Sequence, residues 1–452
     1  MRRHYRRYMT RAPESTNPYL RIIRLGFPIL VGQLGMIIVG FADTKMVGLY
    51  STEALASASF VNNLFNTAIF ACVGFTYGLT PLVGSLFARH HDAEIGNMVR
   101  NGLLVNVLFS LLITAIMGAI YFNIEKLGQP DELLPLIKPY FLIYLSGVLM
   151  ISIFNVFAQW AYAINRTRMP MWIILVSNVL NIVGNWLLIY GKCGFPELGL
   201  LGAGLSTLFA RIFCPVVIMA VFFLSKDYRG YRNGFLSGSI SKRAIGNINR
   251  TSWPVSLQMT FEAGSFTIAA VMAGWLGAIS LAAFQVIVII GTLGFCIYYS
   301  VGSAVAVFVA NCAGLSDCAG MRRYAFVGYR IMLVLATMSS LFFVFGAPHI
   351  IGQFTNDPLV LSASMALLVP LVLYQYGDAT QINFANALRG TSNVMPMLWI
   401  AFVSYMVIGV PATYLMAFIL GLGTYGIILS FSVSLFIAAS LFLYYFLRVT
   451  RK

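Results

Sequence analysis

The stretch FPILVGQLGMIIVGFADTKMVGLY, from Phe27 to Tyr50, is apolar for long enough to cross a hydrocarbon core of about 30 Å as a helix. A segment of that kind constrains the fold more than any motif, because inside a bilayer every backbone polar group must be satisfied within the protein. The constraint is repeated along the chain. By apolar length and flanking charge, twelve spans are expected, at about 21–48, 58–88, 99–122, 136–162, 169–191, 199–225, 251–275, 280–310, 324–346, 360–388, 396–420 and 424–447. Hydrophobic residues make up 59% of the sequence and charged ones 10%, far below the roughly 25% of a soluble domain. The sequence therefore predicts an all-α polytopic membrane protein.

The net charge of +15 would suggest nucleic acid in a soluble chain. Its distribution says otherwise. The N-terminal segment holds Arg2, Arg3, Arg6, Arg7, Arg11, Arg21 and Arg24, and every second loop continues the pattern with Arg89, Arg100, Arg166 and Arg168. The central connection adds Lys226, Arg229, Arg232, Lys242, Arg243 and Arg250; Arg322, Arg323, Arg389, Arg448, Arg451 and Lys452 complete the set. The alternate loops hold only Lys126, Lys138 and Lys192. Basic residues mark the cytoplasmic side, so both termini are expected there, with the bilayer rather than nucleic acid as the partner. The basic N-terminus leads into a long apolar segment with no clear A-x-A site, which reads as a retained first helix rather than a cleaved signal peptide. The six cysteines form no CxxC pair, and most lie in or beside apolar segments, where a thiol behaves as a small hydrophobe.

The longest polar connection, 226–250, has six spans on either side. An internal repeat appears at an offset of 226 residues. Pro28 falls on Pro254, Met46-Val47-Gly48 on Met272-Ala273-Gly274, Leu55-Ala56 on Leu281-Ala282, Asp131 on Asp357, and MPMW at 169–172 on MPML at 395–398. Six is even, so both halves enter from the same side. The two six-helix repeats are parallel, related by an axis along the membrane normal, and transport through a cleft between them is the natural use of that design. The expected division is a basic N-terminus (1–20), an N-lobe (21–225), an inter-lobe loop (226–250), a C-lobe (251–448) and a short tail (449–452).

Three acids lie inside spans: Asp43, Glu262 and Asp378. Each costs about 2.5–3.5 kcal/mol even on the insertion scale, so each needs a purpose. The repeat register places Ala269, Met36 and Ser152 opposite them, so none is duplicated. In the fifth span Asn178, Asn181 and Asn185 follow i, i+3, i+7 spacing and share a face, and Ser206 and Thr207 come from the sixth. If that face meets Asp43, the site is a carboxylate among amide and hydroxyl oxygens, suited to a hard cation such as Na⁺ or to a proton. In the other half Gln258 precedes Glu262 by one turn, Tyr374, Asp378 and Gln381 share a face, and Gln285 sits early in the eighth span. A carboxylate there can carry a proton, bind a cation or pair with a cationic substrate; the structural alternative is a satisfied interhelical contact. Arg211 is expected to snorkel or pair within its bundle, and Lys45 to anchor the interface. No HExxH pattern or nucleophile–base pair is present at depth, so neither an enzyme, nor a metal site beyond Na⁺, nor an organic cofactor is expected.

GFADTKMVG in the first span, NVLNIVGNWLLIYGKCGFPELGLLGAG across the fifth and sixth, PVSLQMTFEAG in the seventh and YQYGDATQINFANALRG in the tenth resemble the multidrug and toxic compound extrusion (MATE) family, most closely its bacterial NorM-type branch. The resemblance implies a V-shaped, two-lobe transporter that exports drugs and toxic organic cations in exchange for Na⁺ or H⁺. It implies an inner-membrane location, with a monomer expected. Asp43 matches the family's first-helix acid, Asn181 and Asn185 its fifth-helix polar pair, and Thr207 the neighbouring hydroxyl. Some relatives have aspartate where Asn185 stands, so the N-lobe site here has one fewer potential charge. Glu262 and Asp378 match the C-lobe acids of the NorM-type branch, with Tyr374 and Gln285 beside them. The competing reading is a lipid-linked oligosaccharide flippase of the related superfamily; the acidic intramembrane charges favour cationic cargo instead.

Overall fold

Backbone groups that water cannot reach must close their own hydrogen bonds, and the computed structural model, which describes residues 17–127, 130–355 and 357–451, answers that demand with helices joined by short turns. In the first repeat α1 is Pro18–Tyr50, α2 Thr52–Ala88, α3 Asp92–Tyr121, α4 Asp131–Ala163, α5 Arg168–Ile189 and α6 Leu200–Leu224. A surface helix, α7, spans Arg229–Ser237. The second repeat is α8 (Lys242–Trp275), α9 (Ala278–Gly314), α10 (Cys318–Gly352), α11 (Pro358–Ala366 and Leu368–Gly390, bent by 49°), α12 (Met395–Ile419) and α13 (Gly423–Val449). The spans are thus α1–α6 and α8–α13. The N-terminal arginines expected within 1–16, and Lys452, lie outside the described residues.

The repeat is legible in three dimensions. Pro28 and Pro254 sit inside the first helix of each half. Asp131 opens α4, and Asp357 caps α11 by accepting from Leu359 N at 2.8 Å. Pro170 and Pro396 stand in the first turns of α5 and α12, where a missing N–H costs least. The halves differ in α12, which is wound as a π-helix over Phe402–Gly409 and again over Leu415–Ile419.

The connection expected as a loop at 226–250 is instead largely helical. Arg229–Ser237 forms α7, and Ser241 caps α8 by accepting from Ala244 N at 3.4 Å, so α8 begins about nine residues earlier than its apolar core suggests. The glycine- and serine-rich composition hid this. What fixes α7 is a crossing on α3 at which Gly96 faces the backbone of Tyr231 and Gly234 faces the carbonyl of Ala93; a side chain at either glycine would part the helices. Asn101 then holds the chain beyond, donating to Ser239 O at 3.1 Å and accepting from Ser241 N at 3.0 Å.

The two lobes meet at the end of the molecule that carries the basic loops. Arg89 Nε donates to Gly314 O at 2.6 Å, Arg21 to the Tyr324 hydroxyl at 2.6 Å and Arg330 to the Tyr19 hydroxyl at 3.1 Å; Ser256 donates to Ala71 O at 2.8 Å. Small residues let backbones approach there, Gly78 against Ser252 and Gly84 against Ala310. The floor of the cleft is aromatic: the Tyr77 and Tyr299 rings lie 5.7 Å apart, and the buried Arg389 guanidinium sits 5.0 Å over Tyr77. No hydrogen bond among the described residues joins the lobes at the opposite end, where the V opens.

Two helices change sides. The lower turns of α1 put Ile22, Leu25 and Ile29 into a core built mainly from α9, α10, α11 and α13. Higher up, Gly32 and Gly35 pack on α5, and Val47 belongs to the N-lobe core. α8 mirrors this: Ile248 is buried in the N-lobe core, whereas Ala269, Met272 and Ala273 lie in the C-lobe core. Pro28 falls near the point where α1 passes from one lobe to the other.

With the basic end expected in the cytoplasm, this arrangement makes a direct prediction. The native thiol of Cys193 is exposed in the α5–α6 turn, opposite the basic end. An impermeant maleimide added to intact cells should label it, while a cysteine placed at Asn233 on α7 should react only after the membrane is opened. Labelling of the α7 position from outside would overturn the twelve-span arrangement with both ends inside.

Candidate functional site: a carboxylate cluster in each lobe

In the N-lobe, the opened upper half of α1 presents Asp43, half-buried, to α5. Asn185 Nδ2 donates to Asp43 Oδ1 at 2.5 Å. One turn earlier, Asn181 satisfies both its neighbours when its amide nitrogen faces the same carboxylate oxygen at 2.8 Å and its oxygen accepts from Thr207 N and Oγ1, each at 3.2 Å. Both asparagines are buried. Their helix is held in register because Ser206 Oγ donates to Asn181 O at 2.7 Å and Ser177 Oγ to Ala210 O at 3.0 Å. The Tyr190 hydroxyl donates to Met46 O at 2.8 Å and ties the upper end of α1 to α5. Asp43, Asn181, Asn185 and Thr207 are therefore gathered at one place. Asn178 is not: it faces Gly35, two turns lower on α1.

Asn185 Oδ1 is buried and has no hydrogen-bond partner, an acceptor left beside a carboxylate. Asp43, Asn185 Oδ1 and Thr207 Oγ1 make an all-oxygen donor set, the kind a hard cation takes. The charge of Arg211 acts on Asp43, but its guanidinium is engaged elsewhere. Its guanidinium stacks 3.9 Å over the Tyr144 ring and donates to the Tyr144 carbonyl at 3.4 Å, within its own bundle. Lys45 is exposed.

In the C-lobe, Gln258 Nε2 donates to Glu262 Oε2 at 2.9 Å along α8. Asp378 on α11 is 1% exposed, and its Oδ2 has no partner. Glu262 lies close enough for its charge to bear on Asp378, and Tyr374 and Tyr405 feel both acids. Gln381, one turn beyond Asp378, is likewise buried with an unpartnered Oε1. Beneath them the Tyr298 hydroxyl donates to Gln375 Oε1 at 2.7 Å and lies 2.7 Å from the Ser339 hydroxyl. Gly294 on α9 makes room for that glutamine; a Cβ there would collide with its amide. Gln285 is exposed and makes no hydrogen bond to either acid among the described residues.

His91–Glu94 and Lys138–Glu125 pair at the surface, and among the described residues no ion pair involves Asp43, Glu262 or Asp378. The three intramembrane acids thus face amides, hydroxyls and phenols rather than cations. Tyr405, Tyr298 and Gln375 escaped sequence reasoning. A tyrosine in an apolar span is commonly an interface anchor, and only the π-helical winding of α12, which buries Tyr405 beside the acids, reveals otherwise.

Twelve crossing helices in two matching lobes, with an unpaired carboxylate cluster in each, define a membrane protein of the two-bundle transporter architecture. The MatE family model matches residues 28–187 and 254–415, one match in each lobe and together well over half the sequence. The chain belongs to the MatE family. It is 28% identical over 418 residues to the probable multidrug resistance protein NorM of Geobacillus kaustophilus, covering 92% of each chain. It is 27% identical over 397 residues to the multidrug resistance protein NorM of Vibrio cholerae, covering 87% of this chain and 86% of that one. Its fold superposes with a TM-score of 0.88 on the outward-facing conformation of a multidrug resistance MATE family transporter of the MOP superfamily, 19% identical, with 96% of both chains covered.

If the asparagines serve the ionised carboxylate, their value depends on Asp43. Asn185→Ala should lower stability by about 1–3 kcal/mol, as loss of a hydrogen bond to a charged group does. In an Asp43→Asn background the same substitution should cost at least about 1 kcal/mol less. Thermal unfolding of the four purified variants closes this cycle; an equal cost in both backgrounds would mean that Asn185 only packs.

Proposed function

We propose that the protein is a secondary active multidrug exporter that carries cationic or amphipathic organic compounds out of the cell in exchange for Na⁺ or H⁺. In this reading it sits as a monomer in a bacterial inner membrane with its basic end in the cytoplasm. The observation that carries the proposal is the pair of clusters just described, each holding a membrane-embedded carboxylate that no cationic side chain neutralises. The likeness to multidrug resistance proteins NorM agrees with it.

The coupling role falls first to Asp43. Two amide donors converge on one carboxylate oxygen. Hydrogen bonds to a charged group contribute about 1.5–3 kcal/mol each, so the pair supplies roughly 3–6 kcal/mol that depends on the charge. Moving a two-state equilibrium from 1:99 to 99:1 takes about 5.5 kcal/mol. Neutralising Asp43 by proton uptake therefore acts on the right scale to release the upper half of α1 from α5, whereas Na⁺ held among the oxygens of Asp43, Asn185 and Thr207 would replace the amide bonds with ion contacts and repack α1 on the same helices. Pro28 lacks the N–H that would stiffen the helix below, so α1 is free to bend there. Bending would narrow the N-lobe side of the cleft and expel cargo. The same ion must then disfavour cargo by the amount that cargo disfavours the ion, since coupling free energy is reciprocal. Glu262 and Asp378 offer the second charged site, for a cation or for cationic cargo, with Tyr374 and Tyr405 as its aromatic wall.

Efflux of a fluorescent organic cation from proteoliposomes, with Na⁺ and pH gradients imposed separately, tests the function. Wild type should respond to at least one gradient. Asp43→Asn should fold yet lose gradient-driven efflux, and its cargo affinity should no longer vary with Na⁺ or pH. Glu262→Gln and Asp378→Asn should each reduce transport at least tenfold at normal abundance. Unchanged ion dependence in Asp43→Asn would remove the coupling role from α1, and wild-type efflux in either C-lobe variant would return that acid to a structural contact.

A further inference from the structure

Away from both carboxylate clusters, a groove of about 470 Å³ opens where α3 meets the inter-lobe connection. Leu103, Leu104 and Val107 of α3 form one wall; Leu236 and Ile240, 63% and 60% exposed, stand on the other. The volume falls within the range of ligand pockets, about 300–1,000 Å³. The apolar wall continues along α3 into Leu108, Leu111 and Leu112, which are exposed and lie on the surface that lipid must cover.

The lower end of the groove is cationic. Arg100 lines it, with Nη1 donating to the carbonyls of Phe235 at 3.4 Å and Leu236 at 3.3 Å and to that of Gly238. These bonds hold the guanidinium at the end of α7. They leave Nε and the other terminal nitrogen with no acceptor among the described residues, two donors in the fork geometry that matches a phosphate. Lys242 and Arg243, both exposed, follow Ile240 by two and three residues. The acids beside α7 lie at its other end: Asp92 stands beside Gly230, and Asp227 comes just before the helix begins. In the pattern of loop charges these basic residues mark topology alone.

We propose that this groove is a binding site for an anionic phospholipid of the leaflet at the basic end, with the headgroup phosphate on Arg100 and an acyl chain along Leu103, Leu104 and Val107. A basic pocket at a helix junction on that face is the sequence-readable form of anionic lipid recognition. A free phosphate would meet the same guanidinium but leave the apolar walls in water, so the occupant is a lipid and not a soluble anion. Bound there, the lipid bridges α3 to the connection that leads into α8, the helix shared by both lobes. The inference rests on the membrane architecture and not on the identity of the cargo.

Native mass spectrometry of the full-length protein in detergent, titrated with an equimolar mixture of phosphatidylglycerol and phosphatidylcholine, tests it. Phosphatidylglycerol should be retained at least tenfold more strongly. Arg100→Gln should abolish that preference. Because Arg100 also ties the connection to α3, Val107→Trp gives an independent reading: it fills the groove, leaves the arginine's bonds in place, and should reduce phosphatidylglycerol retention about tenfold. sn-Glycerol 3-phosphate should neither bind nor compete. Equal retention of the two lipids, wild-type retention in Val107→Trp, or competition by glycerol phosphate at lipid-like concentrations would each overturn the proposal.

Discussion

The structure depends on an exchange. The first helix of each repeat begins in the core of the opposite lobe and ends in its own, so α1 is gripped below by α9 and α10 and above by α5. Lipid tails supply no hydrophobic drive between helices; close packing and interhelical hydrogen bonds must hold such a molecule together. The small-residue contacts of Gly78 with Ser252 and Gly84 with Ala310 supply the packing, and the Arg89–Gly314 and Arg21–Tyr324 bonds fix the register. Everything above that belt belongs to one lobe or the other. A cleft then exists without any helix having to bend to create it, and its two walls are free to carry different chemistry.

They do carry different chemistry. The N-lobe cluster is a single acid with a short, oriented set of amide donors, where the loss of one charge changes two hydrogen bonds at once. The C-lobe cluster is two acids among tyrosines and glutamines, with several buried oxygens unpartnered. Buried polar groups left in that condition cost about 1–3 kcal/mol each, and sites that tolerate the cost are usually sites of function. The π-helical winding of α12 belongs to the same account. It forgoes regular α geometry over Phe402–Gly409 and in doing so sets Tyr405 beside Glu262 and Asp378.

Much of this was legible in the sequence, for physical reasons. Apolar runs are long in a membrane protein, so span number and repeat followed from hydropathy and from coincidences such as Pro28 with Pro254. The meeting of Asp43 with Asn185 stands in the sequence only as a condition: an intramembrane charge needs donors, and the asparagines share one helical face. What stayed hidden depended on contacts between distant segments. α7 looked like loop because its docking relies on Gly96, some 130 residues earlier in the chain. The resemblance put Gln285 beside the C-lobe acids, and it is exposed with no hydrogen bond to either of them among the described residues. Asn178 satisfied the helical periodicity and still faces Gly35, since periodicity fixes a face and not a depth along it.

The exchange of α1 has a consequence for how the protein is made. The helix leaves the ribosome long before its partner, for Arg21 meets Tyr324, 303 residues later in the chain. At a synthesis rate of about 5–20 residues per second that interval is roughly 15–60 s. Through it Ile22, Leu25 and Ile29 have no core to enter, although the upper part of the same helix can already settle on α5. The N-lobe is thus completed with its leading strand of contacts still open at one end, and closure waits for α9 and α10 to be inserted. Assembly of the two lobes is in this sense a single late event, and a chain interrupted at the inter-lobe connection would leave one apolar helix end permanently seeking a partner.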